Sequence, residues 1–145
     1  MSTGLPVFDT SVQDANLWLK EVGAHLGGAE RHEAYSALRA VLHALRDRLQ
    51  APAAVNFAAQ LPMLLRGLYY EGWTLPATPS DVRSPKEFAE AIAAELPPRF
   101  QYDALLCARA AFAAATSRLS EGEPAKLRRQ LPEGLRALWP GKDDD

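Results

Sequence analysis

Between Glu30 and Leu49 the residues Ala34, Leu38, Val41, Leu42, Leu45 and Leu49 recur at three- and four-residue intervals and share one arc of a helix. His32, Ser36, Arg39, His43, Arg46 and Asp47 fall on the other side, so the pattern predicts one packed face and one wet face. An earlier set, Ala15, Trp18, Leu19, Val22 and Leu26, has the same period. It predicts a first helix that opens among the capping side chains of Asp9 to Ser11 and closes at Gly27-Gly28. Pro52, harmless in a first turn, opens a short third helix through Val55 and Ala58-Ala59. Pro62 disfavours helical backbone at Leu61, which becomes a corner before a fourth helix carrying Leu64, Leu65, Leu68 and Tyr69. Gly72, Pro76 and Pro79 mark a connector, and Ser84-Pro85-Lys86-Glu87 is a sharp helix start, with a capping-box pair and proline in the first turn. Phe88, Ile92 and Leu96 define the next helix, which Pro97-Pro98 ends. A long helix is expected from Tyr102 to Leu119, with Ala104, Ala108, Ala111, Phe112, Ala115 and Leu119 inward. A short one follows after a Ser120–Glu123 capping box, and a last one opens at Pro132.

Gln60-Leu61-Pro62, Leu65-Arg66 and Leu68 return as Gln130-Leu131-Pro132, Leu135-Arg136 and Leu138, a shift of 70 positions. Without a gap the same shift pairs Trp18 with Phe88, Val22 with Ile92, Leu26 with Leu96, Arg39 with Arg109 and Arg48-Leu49 with Arg118-Leu119. The volume changes compensate: Leu42 becomes Phe112 while Val41 and Leu45 become Ala111 and Ala115. The expected fold is therefore all-α, a single-domain orthogonal bundle of about eight helices built from two tandem pseudo-twofold repeats. Residues 1–10 are read as a lead-in and 11–140 as one helical domain, comprising repeat one (11–72), connector (73–83) and repeat two (84–140). Residues 141–145 are read as an acidic tail.

Composition narrows the function classes. A chain of 145 residues buries about 70% of its unfolded surface without disulfide or metal, and a net charge of −2 gives no global attraction to phosphates or acidic membranes. The single cysteine excludes an internal disulfide, and no apolar run approaches the roughly 20 residues that span a bilayer. Met1 to Pro6 carry neither a positive cluster nor an apolar stretch, so no secretory signal is read and a cytoplasmic protein is expected.

Phe8-Asp9, Val12-Gln13, Ala15-Asn16 and Trp18-Leu19-Lys20-Glu21-Val22, followed by Arg31-His32, Ala34-Tyr35, the run from Ala37 to Leu49 and the run from Gln60 to Trp73, form a distinctive combination. Together they resemble the bacterial family known as domain of unknown function 2267, over about Phe8 to Leu138. The resemblance implies a bacterial source and an all-helical fold, and carries no reaction, substrate or catalytic residue. The second half matches less crisply, with alanine replacements in its long helix.

Each polar candidate has a plain reading and a sharper one. His32 and His43 are 11 positions apart, about 20° around the helix and roughly 16 Å along it, too far to share a metal, so solvated or capping histidines are the plain reading. Arg39 and Ser36 share their face. Cys107 replaces Ala37 and reads as a partly buried space-filler, with no base or helix N-terminus beside it. Arg48 and Arg118 sit at helix C-termini, suited to the dipole and to free carbonyls. Arg66 and Arg136 follow the corner prolines by four positions, suited to hold the corner through carbonyls or, alternatively, an anionic ligand between the copies. Gln60, Pro62, Gln130 and Pro132 are the structural motif itself. Tyr69, Tyr70 and Trp73 have no matching triplet in the second half, and either dock the connector or form an exposed aromatic patch. Lys126, Arg128, Arg129 and Arg136 are interspersed with Glu121, Glu123 and Glu133 and read as a mixed solvated face rather than a nucleic-acid site.

No catalytic residue, metal ligand or cofactor is assigned. The expected function is a non-enzymatic protein-interaction or scaffolding module, with regulation as one use, no nucleic acid and no membrane. The alternative is a carrier of a small apolar or anionic ligand in a pocket between the repeats. That pocket would be lined by Trp18, Leu42, Leu65, Phe88, Phe112 and Leu135 and would need roughly 300 Å³.

Overall fold

A computed structural model describes residues 2–140 and contains eight α-helices and no strand among them. They are α1 (Pro6–His25), α2 (Arg31–Arg48), α3 (Ala51–Ala58), α4 (Met63–Tyr70), α5 (Pro85–Ala93), α6 (Ala104–Arg118), α7 (Glu123–Arg129) and α8 (Glu133–Arg136), with a 3-10 turn at Leu75–Ala77 inside the connector. The tail beyond Pro140, read as acidic from the sequence, lies outside the described residues.

Local chemistry explains most of the boundaries. Pro62 (φ −59°, ψ 155°) and Pro132 (φ −54°, ψ 147°) stand just outside α4 and α8 in extended conformation, so each corner is turned by the same residue in the same state. The Ser84 hydroxyl accepts the Glu87 N–H while the Glu87 carboxylate takes the Ser84 N–H, which closes the capping box expected for α5. Asp103 caps α6 by accepting from the Leu105 and Leu106 amides.

Two expected boundaries are corrected. The first helix begins at Pro6, because proline at its first position starts a turn without needing a donor. Asp9 then lies in that first turn and its carboxylate accepts the Thr3 N–H at 2.6 Å, a bond that holds its pKa below the ordinary value. The supposed lead-in 1–10 is thus half helix. The Ser120–Glu123 capping box does not form. Gly122 is the residue before α7, at a left-handed φ of 89° that glycine accepts freely, and Glu123 opens the helix with its own N–H bonded to the Ser120 carbonyl.

The helices share one interior. Trp18 and Val22 of α1, Leu38, Val41 and Leu45 of α2, Phe88 and Ile92 of α5, and Ala108, Ala111 and Phe112 of α6 are all buried in it. α1 packs on α2, α4 and α6, and α2 on α4, α5 and α6. The remaining substantial pairs are α3 with α4, α5 with α6 and α8, and α7 with α8. Exchange the first four helices with the last four and these pairs map onto one another, except that α2 packs on α4 and α8, four residues against eight, makes no comparable contact with α6.

Phe112 takes up that difference. Its ring lies parallel to the Trp139 indole, centroids 4.3 Å apart and planes at 6°, and 6.1 Å from Phe88, with buried Ala111 and Ala115 beside it on α6. The six residues expected to line a hollow between the halves are all buried in this core. Of those six, only Trp18 borders one of the larger clefts described below.

Candidate functional site

α2 is a central helix, and its polar side is covered too. Arg39, His43 and Arg46 stand at intervals of four and three on one stripe, which meets the C-terminal half of α4 and the turn after α5. The expectation of a wet face is corrected here: His43 is 2% exposed and Arg46 4%. A helix packed against four neighbours leaves little of its middle to solvent, so His43 and Arg46 are buried with partners.

Those partners form a closed joint. His43 Nε2 lies 2.8 Å from the Leu68 carbonyl, which can only accept, so that nitrogen carries a hydrogen. His43 Nδ1 lies 2.6 Å from Glu95 Oε1, which also accepts from Arg39 Nη1 at 3.0 Å. Glu95 Oε1 is thus shared between the His43 ring and the Arg39 guanidinium. Arg39 Nε and Nη2 reach Glu71 Oε1 at 3.1 and 2.9 Å, and hydrogen bonding to Glu71 raises the Arg39 pKa above its ordinary range. Arg46 Nη1 donates at 2.8 Å to the carbonyls of Tyr69 and Glu71, and its Nε bonds Asp47 at 2.9 Å. Two guanidiniums and an imidazole thus meet three carboxylates and three carbonyls near the end of α4. Both ring nitrogens of His43 are hydrogen-bonded within the protein.

His32, at the start of the same helix, lies outside the joint: its side chain is 77% exposed and 3.5 Å from Glu30. Sequence reasoning missed Glu71, Glu95 and Arg46. The carboxylates come from a connector and a post-helical turn, where no periodicity marks them, and the only available signal was the stripe Arg39-His43-Arg46.

The duplicated arginines divide into two behaviours. Arg66 donates from Nε to the Ala58 carbonyl and from Nη2 to the Leu61 carbonyl, both at 3.0 Å. Arg136 donates to the carbonyls of Leu131 (3.1 Å) and Arg129 (3.3 Å). Each guanidinium therefore fastens the free end of one short helix to the start of the next, around Pro62 or Pro132, while Gln60 and Gln130 stay exposed on the corner. Arg48 and Arg118 do not bind terminal carbonyls as expected. Arg118 Nε pairs with Glu21 at 2.7 Å, whereas Arg48 Nε is buried without a hydrogen-bond partner among the described residues; the position 70 residues on from Glu21 is Ala91. Burial, then the nearby Arg83, lower the Arg48 pKa.

Tyr69, Tyr70 and Trp73 form a ladder from core to connector rather than an open patch. Tyr69 is buried and donates its hydroxyl to the Ala54 carbonyl at 2.9 Å, and burial raises its pKa. Tyr70 stands 5.4 Å from Tyr69 and 5.5 Å from Trp73, whose indole N–H bonds the Thr78 hydroxyl at 2.9 Å. The connector is fastened again where the Ser80 N–H meets the Asp47 carbonyl at 2.6 Å. Within the basic cluster, Arg128 Nε is bound to the Arg136 carbonyl. Cys107 is fully buried, and burial pushes its thiol up to about 11, away from thiolate chemistry. Among the described residues no group of three or more His, Cys, Asp or Glu is placed to hold a metal ion, and no helix is long and apolar enough to cross a membrane.

Three larger clefts open at the surface. One of about 340 Å³ lies between Asp14, Trp18, the corner Gln60-Leu61-Pro62 and Arg118. A second, about 320 Å³, runs along Leu19, Lys20, Gly23 and Ala24 to Arg31. The third, about 290 Å³, lies between His25, Arg109, Ala113 and Trp139.

The described residues thus form an all-α, eight-helix bundle with a partly buried ion-pair joint and two arginine-pinned corners. The model of the family described as Uncharacterized conserved protein (DUF2267) matches residues 15–143, and the chain belongs to that family. The match starts at Ala15, so the first turns of α1 lie outside it. No curated protein matches the chain.

Proposed function

We propose that the chain is a non-enzymatic protein-interaction module of the bacterial cytoplasm, built by duplication of a four-helix unit, and that it docks a protein partner on the face formed by the start of α1 and the start of α4. The observation that carries the reading is an apolar surface with no counterpart in the second half. Val7 and Phe8 lie one turn before Ser11, whose hydroxyl accepts the Leu64 N–H at 3.3 Å, so the two helix starts are side by side. Phe8 is 47% exposed and Leu64 49%, with Val7 and Met63 similarly open. At the corresponding places the second half has Glu133 and Gly134. There the connector closes over the helix: a Cβ on Gly134 would sit 2.5 Å from the Arg83 carbonyl oxygen. A cluster of large apolar side chains is costly to leave in water and marks a contact surface. The non-enzymatic part is supported by the full engagement of His43 and the burial of Cys107, the two groups best suited to chemistry.

The test is quantitative affinity capture from cells of the source organism with wild type, Phe8→Glu/Leu64→Glu, and Leu75→Glu as a control on the exposed connector. A partner recovered at least about tenfold less with the double variant, and equally with the control, is the expected result, since charges placed in an apolar contact remove kilocalories of binding. Equal recovery with all three proteins contradicts the proposed face.

A further inference from the structure

The third cleft, lined by His25, Arg109, Ala113, Leu138 and Trp139, is the second-half counterpart of the buried joint. The 70-residue shift takes Glu95 to His25, Arg39 to Arg109, His43 to Ala113, Leu68 to Leu138 and Tyr69 to Trp139. In the first half, the space above α2 holds an imidazole, and the arginine is occupied by two carboxylates. In the second half the imidazole is reduced to a methyl group, and a histidine stands where one carboxylate stood. The position of the other carboxylate, Glu71, corresponds to Gly141 in the sequence. About 290 Å³ is open at this place. Among the described residues neither Arg109 nor His25 makes a side-chain hydrogen bond or an ion pair. Trp139 in the wall has a buried indole N–H with no acceptor.

We propose that this cleft binds a carboxylate carried on a compact, flat or apolar body, the carboxylate pairing with Arg109 and the body filling the space that His43 fills in the first half. The inference rests on the duplication within the proposed function and not on its partner face. Arginine fits such a ligand because its planar fork can take a carboxylate by two parallel hydrogen bonds, and in the twin site Arg39 already holds carboxylates, Glu71 through Nε and Nη2 and Glu95 through Nη1. Leu106, Ala110, Ala137 and Pro140 supply apolar walls, which a fully polar anion such as phosphate would not use.

The probe is benzoate, with benzamide as its uncharged match, titrated into the isotope-labelled full chain and followed by nuclear magnetic resonance. Benzoate is expected to produce saturable shifts at the Arg109 side-chain N–H, the Trp139 indole N–H and the Ala113 amide. Benzamide should bind about tenfold more weakly or worse, the loss of a charge-assisted hydrogen bond. Arg109→Gln changes an exposed side chain and should keep the folded spectrum while abolishing saturation. Ala113→His should do the same by filling the space, and a matching Arg39→Gln should leave benzoate binding intact. Asp143→Asn/Asp144→Asn/Asp145→Asn separates the sources of carboxylate: tighter benzoate binding identifies the chain's own acidic end as a competitor for the site, and unchanged binding assigns the site to an external molecule. Absence of saturable shifts in wild type and in the triple variant, equal binding of benzamide, or benzoate binding that survives Arg109→Gln overturns the proposal.

Discussion

Phe112→Ala is expected to lower the free energy of unfolding by about 3–5 kcal/mol, read from urea denaturation with an unchanged m-value. The ring is fully enclosed, stacked on Trp139 and leaning on Phe88, and its neighbours Ala111 and Ala115 have no side-chain length with which to close the gap. Phe112→Leu, which installs the residue found at the matching position 42, should cost less than half as much because most of the volume returns. A Phe112→Ala/Trp139→Ala double variant should be less damaging than the sum of the singles by about 0.5–1.5 kcal/mol, the ring-pair contribution. A cost for Phe112→Ala under about 1 kcal/mol would mean that the ring is not part of the core.

Arg46→Met should destabilise by about 3 kcal/mol although it removes a charge and adds an apolar side chain of similar length. The Tyr69 and Glu71 carbonyls would lose their donor within a closed joint, at about 1–3 kcal/mol for each buried group left unpaired. The loss should also be local, with faster hydrogen exchange at Tyr70 to Trp73 before the rest of the bundle opens. Arg46→Lys retains one donor and should recover part of the stability. A Met variant as stable as wild type would show that the joint is open to water, which could replace the guanidinium.

What was legible in the sequence follows from range. Pro62, Pro132 and the Ser84–Glu87 pair act through atoms within four residues of themselves, so corner and cap could be read directly. Pro6 obeys the same first-turn rule as Pro52 and Pro85, and the helix start it marks was obscured because the apolar period is clear only from Ala15. Ser120 and Glu123 have capping-box spacing, yet Gly122 between them takes the left-handed turn and starts α7 two residues later than a cap at Ser120 would have allowed. The joint was the least legible part. A single apolar arc on α2 implies a wet opposite face only when nothing else lies there, and the burial of His43 and Arg46 depends on α4 and on Glu95, distant in sequence. Arg48 and Arg118 look identical in sequence, but among the described residues only Arg118 has its Nε hydrogen-bonded to a carboxylate.

If positions x and x+70 occupy equivalent places, the cleft beside Arg109 is the counterpart of the His43 site with alanine in place of the imidazole. A double-mutant cycle on His25→Glu and Ala113→His tests this directly by rebuilding the Glu95–His43 pair in the second half. Denaturation of the wild type, the two single variants and the double variant is predicted to give a favourable coupling of about 1 kcal/mol or more, as expected for charged side chains in contact. A coupling indistinguishable from zero, with both single variants folded, would contradict it.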